Sequence, residues 1–320
     1  MPALSKTQLN QSLDNLAEIG DVAGILALIA QGADPRAQQS RALRCAAHHG
    51  REECVELLIP LSDPLAGNSA ALYAASFSGQ AECVKLLIPV SDPKAKDSQA
   101  LCVAAIYGRE ECLKLLIPVS DPKSADSNAL CSAAAIGNVG CVNLLIPVSD
   151  PRASGSLALR EAAFAGHLEC VKLLILVSDP CASNSRALGD AALNGHVDCV
   201  KLLIPVSDPT KNDSGALRNA IKNGHIECVK LLLPVSDSLL GRPSLFHDAA
   251  DHGRAGIVAL MLAHEPLLLD EINFSLRHSL ALDSGHSELA RLFSSIIEQQ
   301  SLRSHLPSIS GRPASTAPRL

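Results

Sequence analysis

The residues of this sequence whose type and spacing could support chemistry are its cysteines. Seven of the eleven recur at intervals of 29 residues, namely Cys54, Cys83, Cys112, Cys141, Cys170, Cys199 and Cys228. Thiols at a regular spacing could form disulfides, bind a metal or act as nucleophiles. On stacked helices about 8–10 Å apart, however, neighbours in this ladder are too distant for a disulfide, which needs Cα atoms about 4.4–6.8 Å apart. Packing as small apolar side chains is therefore the favoured role, and metal or redox chemistry is the minor alternative.

The remaining cysteines and the histidines give weaker signals. Cys45, Cys102, Cys131 and Cys181 lie off the ladder, and no neighbouring residue indicates an activated thiol. Histidines follow a recurring glycine at positions 167, 196 and 225, where other repeats carry arginine, glutamine or asparagine. A metal site would not tolerate arginine, so these histidines are predicted to be structural. His48 and His49 diverge by about 100° on a helix and are not expected to chelate together.

No motif in the sequence indicates a catalytic or cofactor site. Gly-rich phosphate loops, zinc-ligand spacings and nucleophile elbows do not occur. We therefore expect no catalytic residues, no cofactor and no metal.

A 29-residue period organises the chain. A glycine lies four residues before each ladder cysteine, from Gly50 to Gly224, and the register extends to Gly253. In the unit at 96–124, Ser98 is predicted to cap a first helix and Gly108 to end it. A second helix carries the cysteine and ends before Pro118. Helices of about eight to ten residues are marginal alone in water, so each unit needs similar neighbours, which predicts a solenoid.

This pattern resembles ankyrin repeats, which also run as helix, glycine, antiparallel helix and a loop. The resemblance is carried by the segment GHLECVKLL at 166–174 and by GADPRA at 32–37, and it covers roughly residues 7–298. It implies an all-α, ankyrin-like α-solenoid of about ten helix-turn-helix repeats. The family unit has 33 residues, so the β-hairpin fingers are expected to be shortened or absent, with plain short loops in their place.

The repeat boundaries divide the sequence into four segments. Residues 7–37 are predicted to form an N-terminal cap, with Gln8, Asn10, Gln11, Asp14 and Asn15 facing water. Residues 38–240 form seven regular repeats, 241–298 form degenerate C-terminal repeats, and together with the cap these make a repeat domain of residues 1–298. Residues 299–320, rich in Ser, Pro and Arg, are predicted to be a disordered tail.

Charge and composition exclude several classes of partner. The formal net charge of −6 argues against a protein that binds nucleic acid or an anionic membrane. The longest apolar runs are too short to span a bilayer, and the N-terminal residues do not resemble a signal peptide. Together with eleven cysteines this predicts a cytoplasmic monomer, with the cytoplasm or nucleus of a host cell as the alternative if it is an effector.

The resemblance also indicates where a protein partner would bind. In ankyrin proteins the two residues before the repeat glycine line the concave groove that contacts partners. In this chain, which is poor in aromatic residues, these positions hold Phe77, Tyr107 and Phe164 together with Ile106, Ile136 and Leu193, and Tyr73 lies one turn earlier. The predicted partner-binding residues are Tyr73, Phe77, Ile106, Tyr107, Ile136, Phe164 and Leu193. The alternative is that they bury against neighbouring helices. Arg44, Arg160, Arg186 and Arg218, with Glu161 and Asp190, would form a polar rim.

Three functional classes follow from these features. The favoured one is a non-catalytic scaffold or adaptor that binds a partner protein in the groove. A secreted effector or inhibitor that acts by covering its target is the second. An enzyme of thiol or metal chemistry is the third, and it would require bound zinc or one highly reactive cysteine.

Overall fold

The structure, a computed structural model, describes residues 4–237, 239 and 243–305, and in these residues the regular secondary structure is helical throughout, without a β-strand. The chain divides into two compact units, Met1–Asn212 and Asp213–Leu320. The predicted all-α class and the loss of the β-hairpin fingers are confirmed for the described residues.

The first unit contains seven helix pairs over its described residues. Each pair has a longer first helix and a shorter second helix. They are α1 (Lys6–Ile19), α2 (Val22–Ala30), α3 (Ala37–His48), α4 (Glu52–Leu58), α5 (Ala66–Ser78), α6 (Ala81–Leu87), α7 (Ala95–Ile106), α8 (Glu110–Leu116), α9 (Ser124–Ile136), α10 (Val139–Leu145), α11 (Ala153–Ala165), α12 (Leu168–Ile175), α13 (Ala182–Leu193) and α14 (Val197–Leu203), with 3-10 turns at Ile88–Val90 and Ile204–Val206.

The second unit contains three further pairs over its described residues, and a short helix precedes the last pair. They are α15 (Lys211–Asn223), α16 (Ile226–Leu232), α17 (Pro243–Asp251), α18 (Ala255–His264), α19 (Leu268–Glu271), α20 (Phe274–Asp283) and α21 (Ser287–His305), with a 3-10 turn at Leu233–Val235. The helix α15 begins two residues before the unit boundary. The expected number of about ten helix pairs is therefore confirmed.

Consecutive pairs of the first unit stack through equivalent faces. Each first helix packs on the first helix of the next pair, from α1 on α3 to α11 on α13, and the second helices do the same from α2 to α14. In the fourth pair, Leu101, Ala104, Leu113 and Leu116 are fully buried and Cys112 is 1% exposed. Burying one such leucine contributes about 1.5–3 kcal/mol. The ladder cysteines are buried as well, which confirms their predicted packing role.

The repeat glycine ends the first helix for two physical reasons. Gly137 has φ +84°, the left-handed conformation that glycine adopts without steric cost. A Cβ atom at this position would also lie 2.5 Å from Nδ1 of His167 in the next pair. The close approach matters because Nε2 of His167 donates to the carbonyl oxygen of Ala135 over 3.1 Å. The histidine thus joins two successive helix ends.

Other residues that follow a repeat glycine make the same link between pairs. All are side chains with an N–H donor, and their acceptors are carbonyl oxygens at the end of the preceding first helix. In the first unit these bonds run from Arg51 to Glu18, Arg109 to Phe77, Asn138 to Ala105 and Ile106, and His196 to Phe164. The interchange of arginine, asparagine and histidine at this position is explained because each can donate this bond.

A left-handed turn precedes the right-handed part of seven first helices. Three successive residues in each turn have φ between +46° and +66°. The turns are 38–40, 67–69, 96–98, 125–127, 154–156, 183–185 and 212–214. The expectation of plain short loops was wrong. The middle residue is asparagine, aspartate or glycine in six of the seven turns, the residue types that tolerate this conformation best.

The last residue of each turn is a serine, and its hydroxyl links consecutive loops. The Oγ atom of Ser98 accepts the backbone N–H of Asp121 in the next loop over 2.9 Å. Five equivalent bonds of 2.8–2.9 Å run from the N–H of Asp63, Asp92, Asp150, Asp179 and Asp208 to the serine of the preceding turn. The predicted helix-capping role of these serines was therefore wrong, because Oγ accepts a bond from the loop that follows the second helix.

The serine of each Ser-Asp-Pro loop forms a second ladder beside the first. Its hydroxyl donates to the carbonyl oxygen of the proline one repeat earlier, as between Ser120 and Pro93 at 3.3 Å and between Ser178 and Pro151 at 3.1 Å. Ser91 departs from this pattern, because its Oγ atom has no hydrogen-bond partner among the described residues. Side-chain bonds thus connect loops that lack the hairpin fingers.

The two ends of the chain depart from the sequence-based expectation. Gln8, Gln11 and Asn15 are exposed, but Asp14 is only 8% exposed and forms an ion pair with Arg41. Asp14 therefore does not face water as predicted, since it points towards the second pair.

At the other end, α21 runs to His305, although the sequence predicts a tail from residue 299. The helix continues because its residues are compatible with it and because Nε2 of Gln300 donates to the carbonyl oxygen of Leu269 over 2.8 Å. Residues 306–320 of the predicted tail lie outside the described residues.

Candidate partner-binding groove

The predicted binding residues lie along the first helices of five successive pairs. Tyr73 and Phe77 belong to α5, Ile106 and Tyr107 to the end of α7, and Ile136 to α9. The series continues with Phe164 on α11 and Leu193 on α13. We call these seven residues the groove stripe. Because consecutive first helices pack on one another, the fold brings these side chains into neighbouring positions.

The exposure of the groove stripe distinguishes two groups of residues. Tyr107 and Phe164 are 49% exposed and Ile136 is 56% exposed. Tyr73, Phe77, Ile106 and Leu193 are half-buried. The alternative, packing against neighbouring helices, therefore applies in part to the four half-buried residues. The other three are large apolar side chains that are exposed to solvent on consecutive pairs.

A row of rings crosses the N-terminal part of the groove stripe. The rings of His48 and Phe77 stack with centroids 5.8 Å apart, and Phe77 meets Tyr107 at 4.5 Å. Nδ1 of His48 is 2.7 Å from the hydroxyl of Ser78, which fixes the ring beside Phe77. His48 occupies one of the two positions before a repeat glycine that the sequence analysis placed along the groove, although it is not among the predicted binding residues. Its place in the ring row follows from the 29-residue register with Phe77.

An open pocket of about 410 Å³ lies at the N-terminal end of this row. Its lining combines basic and aromatic side chains and comes from the second and third pairs. The lining residues are Arg41, Arg44, Cys45, His48, His49, Tyr73, Ala74 and Phe77. The sequence analysis placed Arg44 on the polar rim but did not identify this pocket, because its residues come from two repeats.

Two of the basic side chains in the pocket have acidic partners from α1. Nε of Arg41 lies 3.4 Å from a carboxylate oxygen of Asp14, and Nε2 of His49 lies 3.5 Å from Glu18. Burial raises the pKa of the Asp14 carboxyl above its ordinary value, while Arg41 and Arg44 act in the opposite direction. Arg44 is half-buried and forms no hydrogen bond or ion pair with any described residue.

The C-terminal part of the predicted polar rim is largely paired within itself. Asp190 is 7% exposed, and its two carboxylate oxygens each lie 3.3 Å from an arginine, one from Arg160 and one from Arg186. Glu161, the neighbour of Arg160 on α11, is half-buried and has no ion pair with the described residues. In the second unit, Arg218 pairs with Asp248 at 3.4 Å.

Comparison with known protein families assigns the fold. The family model for ankyrin repeats in three copies matches residues 14–97, 101–184 and 188–274, which is most of the chain. The chain belongs to the ankyrin repeat family. A search of curated proteins finds no match. Ankyrin repeats are in general protein–protein interaction modules and typically lack catalytic activity.

The buried cysteines of this ankyrin repeat protein are poor nucleophiles. Burial raises the pKa of the Cys83, Cys112, Cys131, Cys141 and Cys199 thiols to about 11, so at neutral pH they carry their proton. Nine of the eleven cysteines are buried, Cys45 is half-buried and Cys181 is exposed, and none forms a disulfide.

Metal and membrane sites were also sought in the described residues. That part of the chain holds no group of three or more His, Cys, Asp or Glu side chains arranged to bind a metal. Among the described helices, none has the length and apolar character required to cross a lipid bilayer.

The second helices carry short-range ion pairs on their exposed faces. Lysine and an acidic residue three positions earlier lie 2.7–3.4 Å apart in five pairs, as for Glu111 and Lys114 at 2.7 Å. Such pairs contribute a few tenths of a kcal/mol each. They therefore describe a solvated surface rather than a binding site.

Proposed function

We propose that this ankyrin repeat protein is a non-catalytic scaffold or adaptor that binds a partner protein on the groove stripe. The observation that carries the proposal is the exposure of Tyr107, Ile136 and Phe164 on three consecutive pairs. Large exposed apolar side chains that form one continuous surface are typical of interaction sites, and aromatic residues are frequent interface hot spots. Because its eleven cysteines are free, we further propose that it acts in a reducing compartment such as the cytoplasm.

Chemistry at the thiols is the competing function, and two observations oppose it. The buried thiols have raised pKa values, and the thiol of the exposed Cys181 donates to the carbonyl oxygen of Val206 over 3.6 Å. Arginines act on some of the thiols, such as Arg109 on Cys112 and Arg41 on Cys45, but burial outweighs them and raises the pKa of both thiols. An effector or inhibitor would use the same groove, and so it is a variant of the same binding function.

A matched pair of triple variants tests the proposal. The groove variant replaces Tyr107, Ile136 and Phe164 by serine. The control variant makes the same change at Leu26, Leu65 and Leu176, which are 50%, 57% and 82% exposed and lie outside the groove stripe. Since all six side chains are exposed, both variants should keep the helical circular dichroism and the melting temperature of the wild type.

Partner binding should separate the two variants. Proteins recovered by affinity purification with the wild type and the control variant should be absent with the groove variant. The recovered protein, once purified, should bind the groove variant at least about tenfold more weakly, since burying one aromatic side chain contributes about 1.5–3 kcal/mol. Equal binding by the two variants contradicts the proposal. Unfolding of the groove variant contradicts it as well, because these side chains would then be core residues.

A further inference from the structure

The first helices of the third, fourth and fifth pairs have no charged side chain on their right-handed parts. Residues 70–78, 99–107 and 128–136 contain no Asp, Glu, Lys, Arg or His. Five of the seven residues of the groove stripe lie on these segments. We call this surface the neutral window. A partner segment that covers it must itself be apolar there, because a charge placed on this surface would lose hydration without gaining a partner.

A cation that forms no ion pair with the described residues borders the neutral window on its N-terminal side. Arg44 lies on α3, one repeat before Tyr73, and both line the 410 Å³ pocket. Arg41 and His49 in the same pocket already face Asp14 and Glu18. Arg44 forms no ion pair within the described residues, so its guanidinium can bind a carboxylate from another protein. Arginine is well suited to this because its N–H groups can bind a carboxylate in a bidentate manner.

An anion without a basic partner borders the window on its C-terminal side. Glu161 lies on α11, the first helix that follows the window. Its neighbour Arg160 is directed to Asp190, which Arg186 also contacts. Glu161 is close enough to Cys131 to raise the pKa of that thiol, second to burial. Glu161 therefore lies beside α9, which belongs to the window.

From this distribution of charged and neutral side chains we propose that the groove binds a protein segment with opposite charges at its two ends. The segment carries an acidic side chain that pairs with Arg44, an apolar middle part on the neutral window and a basic side chain that pairs with Glu161. The inference rests on the proposed function and adds the chemistry and the direction of the partner. Charges at the two ends fix the register of the segment, as complementary charges do at other interfaces.

The spacing of the repeats sets the length of such a segment. Arg44 and Glu161 lie on first helices four pairs apart. With packed helices about 8–10 Å apart, the separation is about 32–40 Å. An extended segment covers that distance with about 10–12 residues, and a helix covers it with about 21–27. A library of random segments of about 25 residues therefore includes both conformations.

The test selects, from a display library of random segments, those that bind the full-length protein. Segments that also bind the groove variant with Tyr107, Ile136 and Phe164 changed to serine are removed first. We expect the remaining segments to be enriched at least about twofold, relative to the library, in Asp or Glu at one end and in Lys or Arg at the other. The residues between them should be mainly apolar.

Reversing the charge of Arg44 or of Glu161 should change the charge that the selected segments carry at that end of the groove and leave the other end unchanged. With Arg44→Glu the acidic preference should become a basic one, and with Glu161→Lys the basic preference should become an acidic one. The best wild-type segment should bind each variant about 10- to 100-fold more weakly, as expected for the loss of a charged hydrogen bond. Arg152→Glu and Glu56→Lys, at exposed positions away from the window, are the controls and should select the wild-type pattern. Arg44→Gln, which removes the charge without adding one, should lose the acidic preference even if Arg44→Glu is unstable beside Asp14.

The outcomes separate this inference from the proposed function. One outcome is that the selected segments depend on Tyr107, Ile136 and Phe164 and yet show no charge preference that changes with Arg44 and Glu161. In that case the proposed charges of the segment are refuted and the groove function stands. If no selected segment depends on those three residues, both are refuted. Selected segments whose charges reverse with each variant support both.

Discussion

Replacing Ala125 by glycine should stabilise this protein, although most substitutions destabilise a fold. Ala125 is the first residue of the left-handed turn at the start of α9, with φ +46° and ψ +52°. An alanine in this conformation places its Cβ atom against the following carbonyl oxygen, at a cost of about 1–2 kcal/mol. Glycine removes that strain. Because Ala125 is exposed, the substitution removes no packed side chain.

The expected gain can be estimated from these two opposing effects. The greater freedom of glycine in the unfolded chain costs about 0.5–1 kcal/mol. The net effect of Ala125→Gly is then a stabilisation of about 1 kcal/mol. The same substitution at Ala27 supplies a control of opposite sign, because Ala27 is exposed in the right-handed helix α2. There, Ala27→Gly should destabilise the protein by about 0.5–1 kcal/mol.

Urea unfolding followed by circular dichroism at the helical band measures both changes. The midpoint should rise for Ala125→Gly and fall for Ala27→Gly, with the slope of the transition unchanged so that the midpoints report stability. A lower midpoint for Ala125→Gly, similar to that of Ala27→Gly, would refute the reasoning. The loop before α9 would then be right-handed or extended, and the six equivalent turns would be in doubt.

Two further predictions concern the serine ladder and the thiols. Ser98→Ala should destabilise the protein by about 1–3 kcal/mol, because the N–H of Asp121 loses its acceptor; Ser132→Ala, which removes only an exposed 3.4 Å contact, is the control, and equal urea midpoints for the two would contradict the ladder. In a titration of the native protein with a thiol reagent at neutral pH, the exposed Cys181 should react first and the nine buried cysteines only on unfolding; rapid reaction of a ladder cysteine would instead indicate an activated thiol.

The helical repeat could be predicted from the sequence because its determinants are local and are repeated many times. A glycine four residues before each cysteine identifies the end of one helix and the start of the next. Apolar residues at helical spacing, such as Leu113 and Leu116, identify the buried face. Each of these signals lies within one repeat, so that reading a single unit was sufficient.

The loops could not be predicted in the same way because their hydrogen bonds connect residues that are distant in the sequence. A serine before a helix usually indicates a cap, and the sequence does not show that Ser98 instead bonds to Asp121, 23 residues later. The residue before it did carry a signal, since Asn68, Asp97 and Asp126 are residue types that favour left-handed backbone. That signal becomes informative only when several repeats are aligned with one another.

The positions of the candidate site could be predicted from the sequence, but the burial and the ion pairs of its residues could not. The register placed Phe77 and Tyr107 on one surface, and their rings are in contact. The burial of Asp14, which pairs with Arg41, was missed because it depends on the packing of α1 on α3, that is, on contacts between two pairs. For the same reason the sequence did not indicate that Arg44 would form no ion pair with the described residues.

The serine ladders also determine how the first unit would respond to a mechanical load. Each bond, such as that between Ser127 and Asp150, joins one loop to the next, in a series along the chain. Tension would act on every interface of such a series, and the pairs would detach one after another, beginning with the least stable. Each detachment would release 29 residues, or about 100 Å of extended chain, so that the array would lengthen in steps of nearly constant size.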